Sequence, residues 1–250
     1  MMSGTAFRSL LMIPVFLLAG CAGEPAIEIR PGIDGCHECH MTIDQRNQAS
    51  GYVLNREFVT FDSPGCLLRS IESLPKSERP QPADIYFADY RDGTLYSAEE
   101  SAFLLTPHIP TVMNSGALTF ASREAAESVR EHGDEVVTDW VGYRTLRGTP
   151  DMVLDVVLGP DGLVPEIIEV NKDDLVLLNV VGRGLPGELS ITVRGYPEAG
   201  ETVVPAGSGT AEFRLLASRP GTGFPVVAAD GRSLGMLRVV GAHTADEEAN

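Results

Sequence analysis

The pattern of polar and apolar residues changes at residues 145–150, and this change constrains the fold more than any other feature of the chain. Before it, strand patterns alternate with helix signals such as Ser63 and Pro64, an N-cap residue followed by proline at the first helical position. After it, short apolar runs are separated by Gly, Pro, Asn and Asp turns, which is typical of a β-sandwich. The sequence therefore predicts an α+β region followed by an all-β sandwich.

The α+β region contains two similar stretches. Each has a strand pattern, a serine N-cap and a helix, at residues 59–73 and 118–132. A hairpin pattern at residues 51–61 precedes the first helix, and a strand pattern at residues 136–140 follows the second. The likeness predicts a duplicated ββαβ unit. Chance similarity is the alternative, because strand-to-helix junctions share residue preferences.

The N-terminus has the features of a secreted lipoprotein. Residues 1–20 contain Arg8 and then an apolar run that is too short to span a bilayer stably. The run ends in Leu-Ala-Gly-Cys at residues 18–21, which resembles the bacterial lipobox. We therefore expect a signal peptide cleaved before Cys21, lipidation of the Cys21 thiol, and a tether over residues 21–31. The mature protein would be extracytoplasmic (periplasmic) and anchored to the cell membrane.

Composition narrows the classes of partner. Hydrophobic residues make up 43% of the 250-residue chain, which is sufficient for folded domains rather than a disordered protein. The net charge is −16, and the sequence has no cluster of Lys and Arg. Nucleic acid is therefore not expected as a partner, because its binding relies on basic residues that neutralise phosphates.

Residues 36–43 combine two of the four cysteines, two of the five histidines and a methionine. Thiolate and thioether sulfur suit Cu(I), whereas Ca²⁺ and Mg²⁺ prefer oxygen ligands. A disulfide between Cys36 and Cys39 is an alternative in an oxidising compartment. The Cys-x-x-Cys-His pattern that ends at His40 also matches c-type haem attachment, and Cys-x-x-Cys occurs in thiol redox proteins. The last two interpretations are disfavoured because the flanking residues lack the helices that both classes need.

Several ordered segments, together with this cysteine pattern, resemble the NosL family of lipoprotein copper chaperones, which serve nitrous oxide reductase maturation. The segments are residues 36–43, 61–68, 97–103, 110–121 and 124–126. The resemblance covers about residues 30–143 and implies two ββαβ modules like those of organomercurial lyase. It also implies Cu(I) binding and delivery to a copper-accepting enzyme, nitrous oxide reductase or a similar one, and contact with its maturation machinery. His40 departs from the family, which often has glycine there.

The candidate metal ligands follow from the affinity of Cu(I) for soft donors. They are Cys36, Cys39, Met41, Met113 and His40. Met113 would close the site from the second module, although methionine beside Val112 could equally fill a gap in the core. Cys66 is expected to be buried structure, since Leu67 and Leu68 follow it. Zinc is disfavoured because the sequence has no second Cys/His pair at similar spacing.

Residues 151–243 resemble a cupredoxin, on a strand and turn at residues 169–176 and a closing strand at residues 235–239. A blue-copper centre needs two His and one Cys near a weak axial ligand. No Cys follows Cys66, and the only His in this part is His243, so we expect this sandwich to lack copper.

The sequence as a whole therefore predicts a non-enzymatic, membrane-anchored Cu(I) chaperone with its copper-binding domain at residues 32–145. A c-type cytochrome or a thiol redox protein that uses Cys36 and Cys39 is the alternative.

Overall fold

The computed structural model describes residues 25–241. The predicted signal peptide, Cys21 and His243 lie outside the described residues. Within residues 25–241, no helix is long and apolar enough to cross a membrane.

Three α-helices, sixteen strands and five short 3₁₀ helices form within the described range. The α-helices are α1 (Pro64–Ser73), α2 (Arg123–Glu127) and α3 (Trp140–Arg147). The first seven strands are β1 (Ser50–Leu54), β2 (Glu57–Phe61), β3 (Ile85–Ala88), β4 (Leu95–Ser97), β5 (Ala102–Leu105), β6 (Ala117–Phe120) and β7 (Val136–Thr138). The other strands are β8 (Met152–Gly159), β9 (Gly162–Val164), β10 (Ile167–Asn171), β11 (Leu175–Gly182), β12 (Leu189–Val193), β13 (Thr202–Val204), β14 (Thr210–Leu216), β15 (Gly221–Ala228) and β16 (Ser233–Val240). The 3₁₀ helices are Arg46–Gln48, Lys76–Glu78, Pro82–Asp84, Val112–Asn114 and Pro197–Ala199.

The first region contains two antiparallel sheets, with strand orders β2-β1-β3-β4 and β6-β5-β7. In each sheet a central strand pairs with the strand before the helix on one side and with the strand after it on the other. The predicted hairpin of β1 and β2 is confirmed, and it turns at Asn55 and Arg56, which both have positive φ. The two sheets share a strand order, while duplication and the likeness to NosL modules stay predictions.

The predicted start and end of α1 are confirmed. The Ser63 hydroxyl accepts a hydrogen bond from the Cys66 amide at 3.3 Å, and Pro64 occupies the first turn. The helix ends at Ser73, two residues before Pro75, as expected from the exclusion of α conformation before proline.

Two predictions for the second module are wrong in extent. The helix predicted to reach His132 ends at Glu127, because the Glu135 carboxylate accepts the Glu131 and His132 amides and folds this segment into turns. The strand predicted over residues 136–140 stops at Thr138. The carboxylate of Asp139 caps a new helix, α3, by accepting the Gly142 amide at 2.8 Å.

The core of the first region reaches further toward the N-terminus than the predicted tether over residues 21–31 allows. Ile29 is 1% exposed and packs with the apolar residues of this core. The Asp34 carboxylate accepts hydrogen bonds from the Arg30 backbone amide and guanidinium. The ordered structure therefore begins before residue 31, because burial of Ile29 removes apolar surface from water.

The second region is a two-sheet sandwich, as predicted. One sheet has the order β14-β11-β8-β9 and the other β10-β16-β15-β12-β13. Along β11 buried side chains alternate with half-buried ones, the period of a strand with one face on a core. The inner faces enclose a separate cluster of buried apolar residues between Val156 and Val239.

Polar contacts join the two regions on the side where α1 ends. The Glu72 carboxylate accepts the Thr149 amide at 2.9 Å. The ammonium of Lys76 pairs with Asp174 and lies 3.6 Å from a carboxylate oxygen of Asp151. The sandwich is therefore attached through charged side chains as well as through the linking segment.

Candidate metal centre

The segment that holds Cys36 and Cys39 is a tight turn fixed by its own backbone. The Cys36 amide donates to the Met41 carbonyl at 2.8 Å, and the His40 amide donates to the Cys36 carbonyl at 2.9 Å. His40 closes the turn in the left-handed region, with φ 62°. The amide of His37 donates to the Thr60 carbonyl at 2.9 Å, so the turn lies against the end of β2.

This position brings the turn to the start of α1. The sulfurs of Cys36, Cys39 and Cys66 and the carboxylate of Asp62 all lie within 4.8 Å of one another. We call these four residues the cysteine cluster. Asp62 follows the last residue of β2, and Cys66 lies in the first turn of α1, so strand, cap and helix each contribute to its geometry.

Hydrogen bonds hold the cysteine cluster in place. The Cys39 thiol donates to Asp62 Oδ2 at 3.1 Å, and the Ser63 hydroxyl donates to Asp62 Oδ1 at 3.1 Å. Arg69 Nη2 donates to the Cys66 sulfur at 3.0 Å, while Arg69 Nε lies 3.4 Å from Glu38 Oε1. Arg69 therefore links the Cys-x-x-Cys turn to α1 and places a positive charge beside the sulfurs.

Burial raises the pKa of two of these thiols, those of Cys39 and Cys66, and so favours their protonated form. Cys36, Asp62 and Cys66 are each at most 3% exposed. Burial, assisted by the hydrogen bond to Asp62, raises the pKa of the Cys39 thiol to about 11, and burial raises the pKa of Cys66 as well. All three cysteines are free in the structure. A metal that enters must therefore displace thiol protons.

The two candidate methionines are surface residues on segments close to the cysteine cluster in the fold. The side chain of Met41 is 56% exposed and that of Met113 is 48% exposed, so Met113 is not a core residue. Met113 has a φ of 54° in the 3₁₀ helix Val112–Asn114. This turn contacts the start of α1, since a Cβ added at Gly65 would lie 3.3 Å from Ser115 Cβ. Both thioethers belong to segments that adjoin the cysteine-bearing turns.

None of the four histidines that the structure describes is a member of the cysteine cluster. His40 is exposed at the end of the turn. The ring of His37 packs edge-on against Phe61, with centroids 6.2 Å apart. His108 is engaged elsewhere, since its Nε2 lies 2.9 Å from Asp134 Oδ1 and its ring lies over that of His132.

Sequence reasoning did not include Asp62 or Cys66 among the ligands. Cys66 is indeed buried, as predicted, but its sulfur faces the other cysteines rather than an apolar core alone. The available signal was the N-cap at Ser63: it places Cys66 in the first helical turn and Asp62 immediately before the cap. The sequence alone did not show that the turn at residues 36–41 meets this helix start.

Three sulfurs and one carboxylate define what the cysteine cluster can hold. The sulfurs are soft donors that suit Cu(I). Counted together with the carboxylate, they also form a four-donor set of the kind that zinc takes in tetrahedral sites. Among the described residues, no other group of His, Cys, Asp and Glu side chains is arranged as a metal cage.

Comparisons with known proteins found distant similarity to solved structures. No family profile and no curated protein matches the sequence. One similar solved structure is auracyanin B, at 12% identity and a TM-score of 0.32, over 37% of this chain and 91% of that one. Another is the multicopper oxidase mgLAC, at 15% identity and a TM-score of 0.30, over 39% of this chain and 41% of that one.

One prediction is corrected by these comparisons. The expectation that the chain is not an enzyme is wrong in that an enzyme, the multicopper oxidase, is among the structures to which the chain is similar. The two-sheet sandwich itself is established by the strand pairing of this chain.

Proposed function

We propose that this protein binds one Cu(I) ion through the sulfurs of Cys36, Cys39 and Cys66 and passes it to a copper-accepting protein. The observation that carries the proposal is the convergence of three free thiols within 4.8 Å. Three thiolates match the softness and the low coordination number of Cu(I). Asp62 accepts the Cys39 thiol proton in a hydrogen bond while the site is empty.

Transfer requires an open side, and the surroundings of the cysteine cluster supply one. Cys39 is partly accessible, whereas Cys36 and Cys66 are buried. Met41 and Met113 are exposed, belong to segments that adjoin the Cys-x-x-Cys turn and the start of α1, and offer neutral, weaker sulfur donors. In this proposal, Cu(I) enters and leaves past the two methionines, and His40 stands at the same rim.

The resemblance of residues 30–143 to the NosL family extends the proposal. It makes nitrous oxide reductase, or a similar extracytoplasmic copper enzyme, the recipient of the metal. The lipobox ending at Cys21 supports attachment of the protein to the membrane, with the cysteine cluster held outside the cytoplasm. This recipient and location rest on the sequence alone.

A second candidate is a zinc site, and Asp62 is the observation that favours it. Zinc takes carboxylate oxygen beside thiolate in closed four-ligand sites, which are structural rather than transferable. Haem attachment is less compatible with the structure, because it would require a Cys36 thiol that is 2% exposed to bond to a bulky porphyrin.

The test uses a reduced form of the protein that begins at residue 22 and therefore lacks Cys21. Cu(I) is titrated anaerobically into this protein in competition with a chromophoric Cu(I) chelator. We expect one Cu(I) per chain and no visible absorption. Cys36→Ser, Cys39→Ser and Cys66→Ser should each lower the affinity by more than about 100-fold, the upper range for changes outside the ligand shell. Disulfide formation should abolish binding until a reductant is added.

Two comparisons make this test selective. Met41→Leu and Met113→Leu should weaken binding less than the cysteine variants, and Met236→Leu, in strand β16 of the sandwich, should leave it unchanged. Full affinity in Cys66→Ser would show that the turn at residues 36–41 binds copper by itself. A visible Soret band in the isolated protein would instead establish a cytochrome.

A further inference from the structure

A cavity lies between the α+β region and the sandwich, away from the cysteine cluster. Its volume is about 280 Å³, close to the lower end of the ~300–1,000 Å³ range of small-molecule sites. The first region contributes one wall, which includes Trp140 and Arg144 of α3, and the sandwich contributes Lys172 and Asp173. Junctions of this kind are a common location for ligand sites.

Positive charge is concentrated in this cavity although the chain as a whole carries −16. Its lining includes four cationic side chains and one carboxylate. The charged lining residues are Lys76, Arg79, Arg144, Lys172 and Asp173. A cationic concavity in an acidic protein attracts small anions, because low-dielectric walls focus its field.

Three of the four cations already have carboxylate partners. Lys76 pairs with Asp174, Arg79 lies 3.6 Å from Asp151, and Lys172 lies 3.4 Å from Asp173. Within each pair the positive and the negative charge neutralise each other. The fourth cation therefore accounts for the excess positive charge of the cavity.

Arg144 is that fourth cation. Across residues 25–241, its guanidinium has no ion pair and no hydrogen bond, and its Cζ lies 5.9 Å from the centroid of the Trp140 ring. Burial, and next the charge of Arg79, lower the pKa of Arg144. The five N–H donors of this guanidinium therefore make no hydrogen bond to the residues that line the cavity, Asp173 included.

Apolar side chains complete the wall around this guanidinium. Trp140 is 5% exposed, and Ile71 and Ile85 line the same space. A ligand with one negative charge would satisfy Arg144, and an apolar body would contact the indole and the two isoleucines. An ion with two or more charges would remain unbalanced, since only one cation is free.

We propose that this cavity binds a small organic monoanion, with a carboxylate on the Arg144 guanidinium and an apolar or aromatic body against Trp140. An arginine fork matches a carboxylate with two parallel hydrogen bonds. Because both regions line the cavity, such a ligand would also tie the sandwich to the first region. The proposal is independent of the copper site, which uses none of these residues.

Trp140 is the only tryptophan in the chain, so its fluorescence reports directly on the cavity. Benzoate is the probe, benzyl alcohol its neutral counterpart and inorganic phosphate the anion without an apolar body. We expect benzoate to change the emission saturably and to raise the thermal midpoint. Benzyl alcohol and phosphate should each bind at least tenfold more weakly. Equal affinities for phosphate and benzoate, or no saturable response to benzoate, would overturn the proposal.

A matched pair of variants on α3 tests the role of Arg144. Arg144→Met should weaken benzoate binding at least tenfold, whereas Arg147→Met, whose guanidinium contacts the Gly116 carbonyl outside the cavity, should not. Without ligand, Arg144→Met should keep or raise the thermal midpoint, because it removes a half-buried charge that has no ion-pair partner. Equal benzoate affinity in both variants would contradict the assignment. The probe comparison on the unaltered chain stands even if Arg144→Met fails to fold.

Discussion

Asp62 is the one oxygen donor in the cysteine cluster, and at the residue scale it separates the two metals that the cluster can hold. Its carboxylate is 3% exposed and accepts hydrogen bonds from Cys39 and Ser63. Buried carboxylates need such partners or a cation, since an isolated buried charge is costly. Cu(I) would occupy the sulfurs and leave Asp62 as a hydrogen-bond acceptor, whereas Zn²⁺ would recruit it as a ligand.

Asp62→Asn therefore should affect the two metals differently. Its amide cannot supply a charged oxygen ligand, so Zn²⁺ affinity should fall by about 100-fold or more, while Cu(I) affinity changes by less than about tenfold. Competition titrations with each metal measure both values. The control is Asp44→Asn, an exposed aspartate two residues beyond Thr42. A larger loss for Cu(I) than for Zn²⁺ would show that the carboxylate binds copper directly.

At the scale of elements, the start of α1 is where fold and site depend on each other. The Ser63 hydroxyl caps the helix through the Cys66 amide and also donates to Asp62. Helix α2 has an equivalent cap, in which the Ser122 hydroxyl accepts the Ala125 amide at 3.2 Å, without any cysteine nearby in sequence. The Ser122 cap is therefore a matched control for the Ser63 cap, because it stabilises a helix that carries no candidate ligand.

Ser63→Ala and Ser122→Ala should each lower the free energy of unfolding by about 1 kcal/mol, because each leaves a helix amide without its cap. Only Ser63→Ala should also weaken Cu(I) binding, since it displaces Cys66 and removes a hydrogen bond to Asp62. Urea unfolding gives the stabilities, and chelator competition gives the affinities. If the two caps were equivalent for copper binding, the proposed role of α1 in the site would be wrong.

At the scale of the whole molecule, charged side chains attach the sandwich to the first region. Asp174 is 3% exposed at its side chain, and it is paired with Lys76 and hydrogen-bonded by Asn171 Nδ2 at 3.1 Å. Removing a partner from a buried carboxylate leaves a desolvated charge. The pair lies at the end of α1 opposite to the cysteine cluster, so its loss concerns stability rather than the metal.

Lys76→Met should lower the free energy of unfolding by about 1–3 kcal/mol, and adding Asp174→Asn should restore part of that loss. Lys172→Met, which breaks a pair with the exposed Asp173, should cost less than about 1 kcal/mol. Denaturant unfolding of all four proteins measures these effects. If Lys76→Met also lowered the Cu(I) affinity, the contacts between the two regions would be coupled to the cysteine cluster.

Local patterns in the sequence determined most of the elements of this fold. The cap at Ser63, the turn at Asn55 and Arg56 and the alternation along β11 act within a few residues, so they predict α1, the first hairpin and the sandwich strands. The predicted helix end at His132 and strand end at Trp140 were wrong because nearby carboxylates, those of Glu135 and Asp139, accept hydrogen bonds from backbone amides there.

The sequence also indicated soft metal chemistry at Cys36 and Cys39, because that depends on residue type and spacing alone. Only the tertiary structure added Cys66 and Asp62 to them, since the Cys-x-x-Cys turn meets α1 through its contact with β2, and these contacts join residues 23 or more apart in sequence. The free guanidinium of Arg144 was likewise invisible in the sequence. Whether an arginine has a partner depends on which charges the two regions bring together, and no local pattern encodes that arrangement.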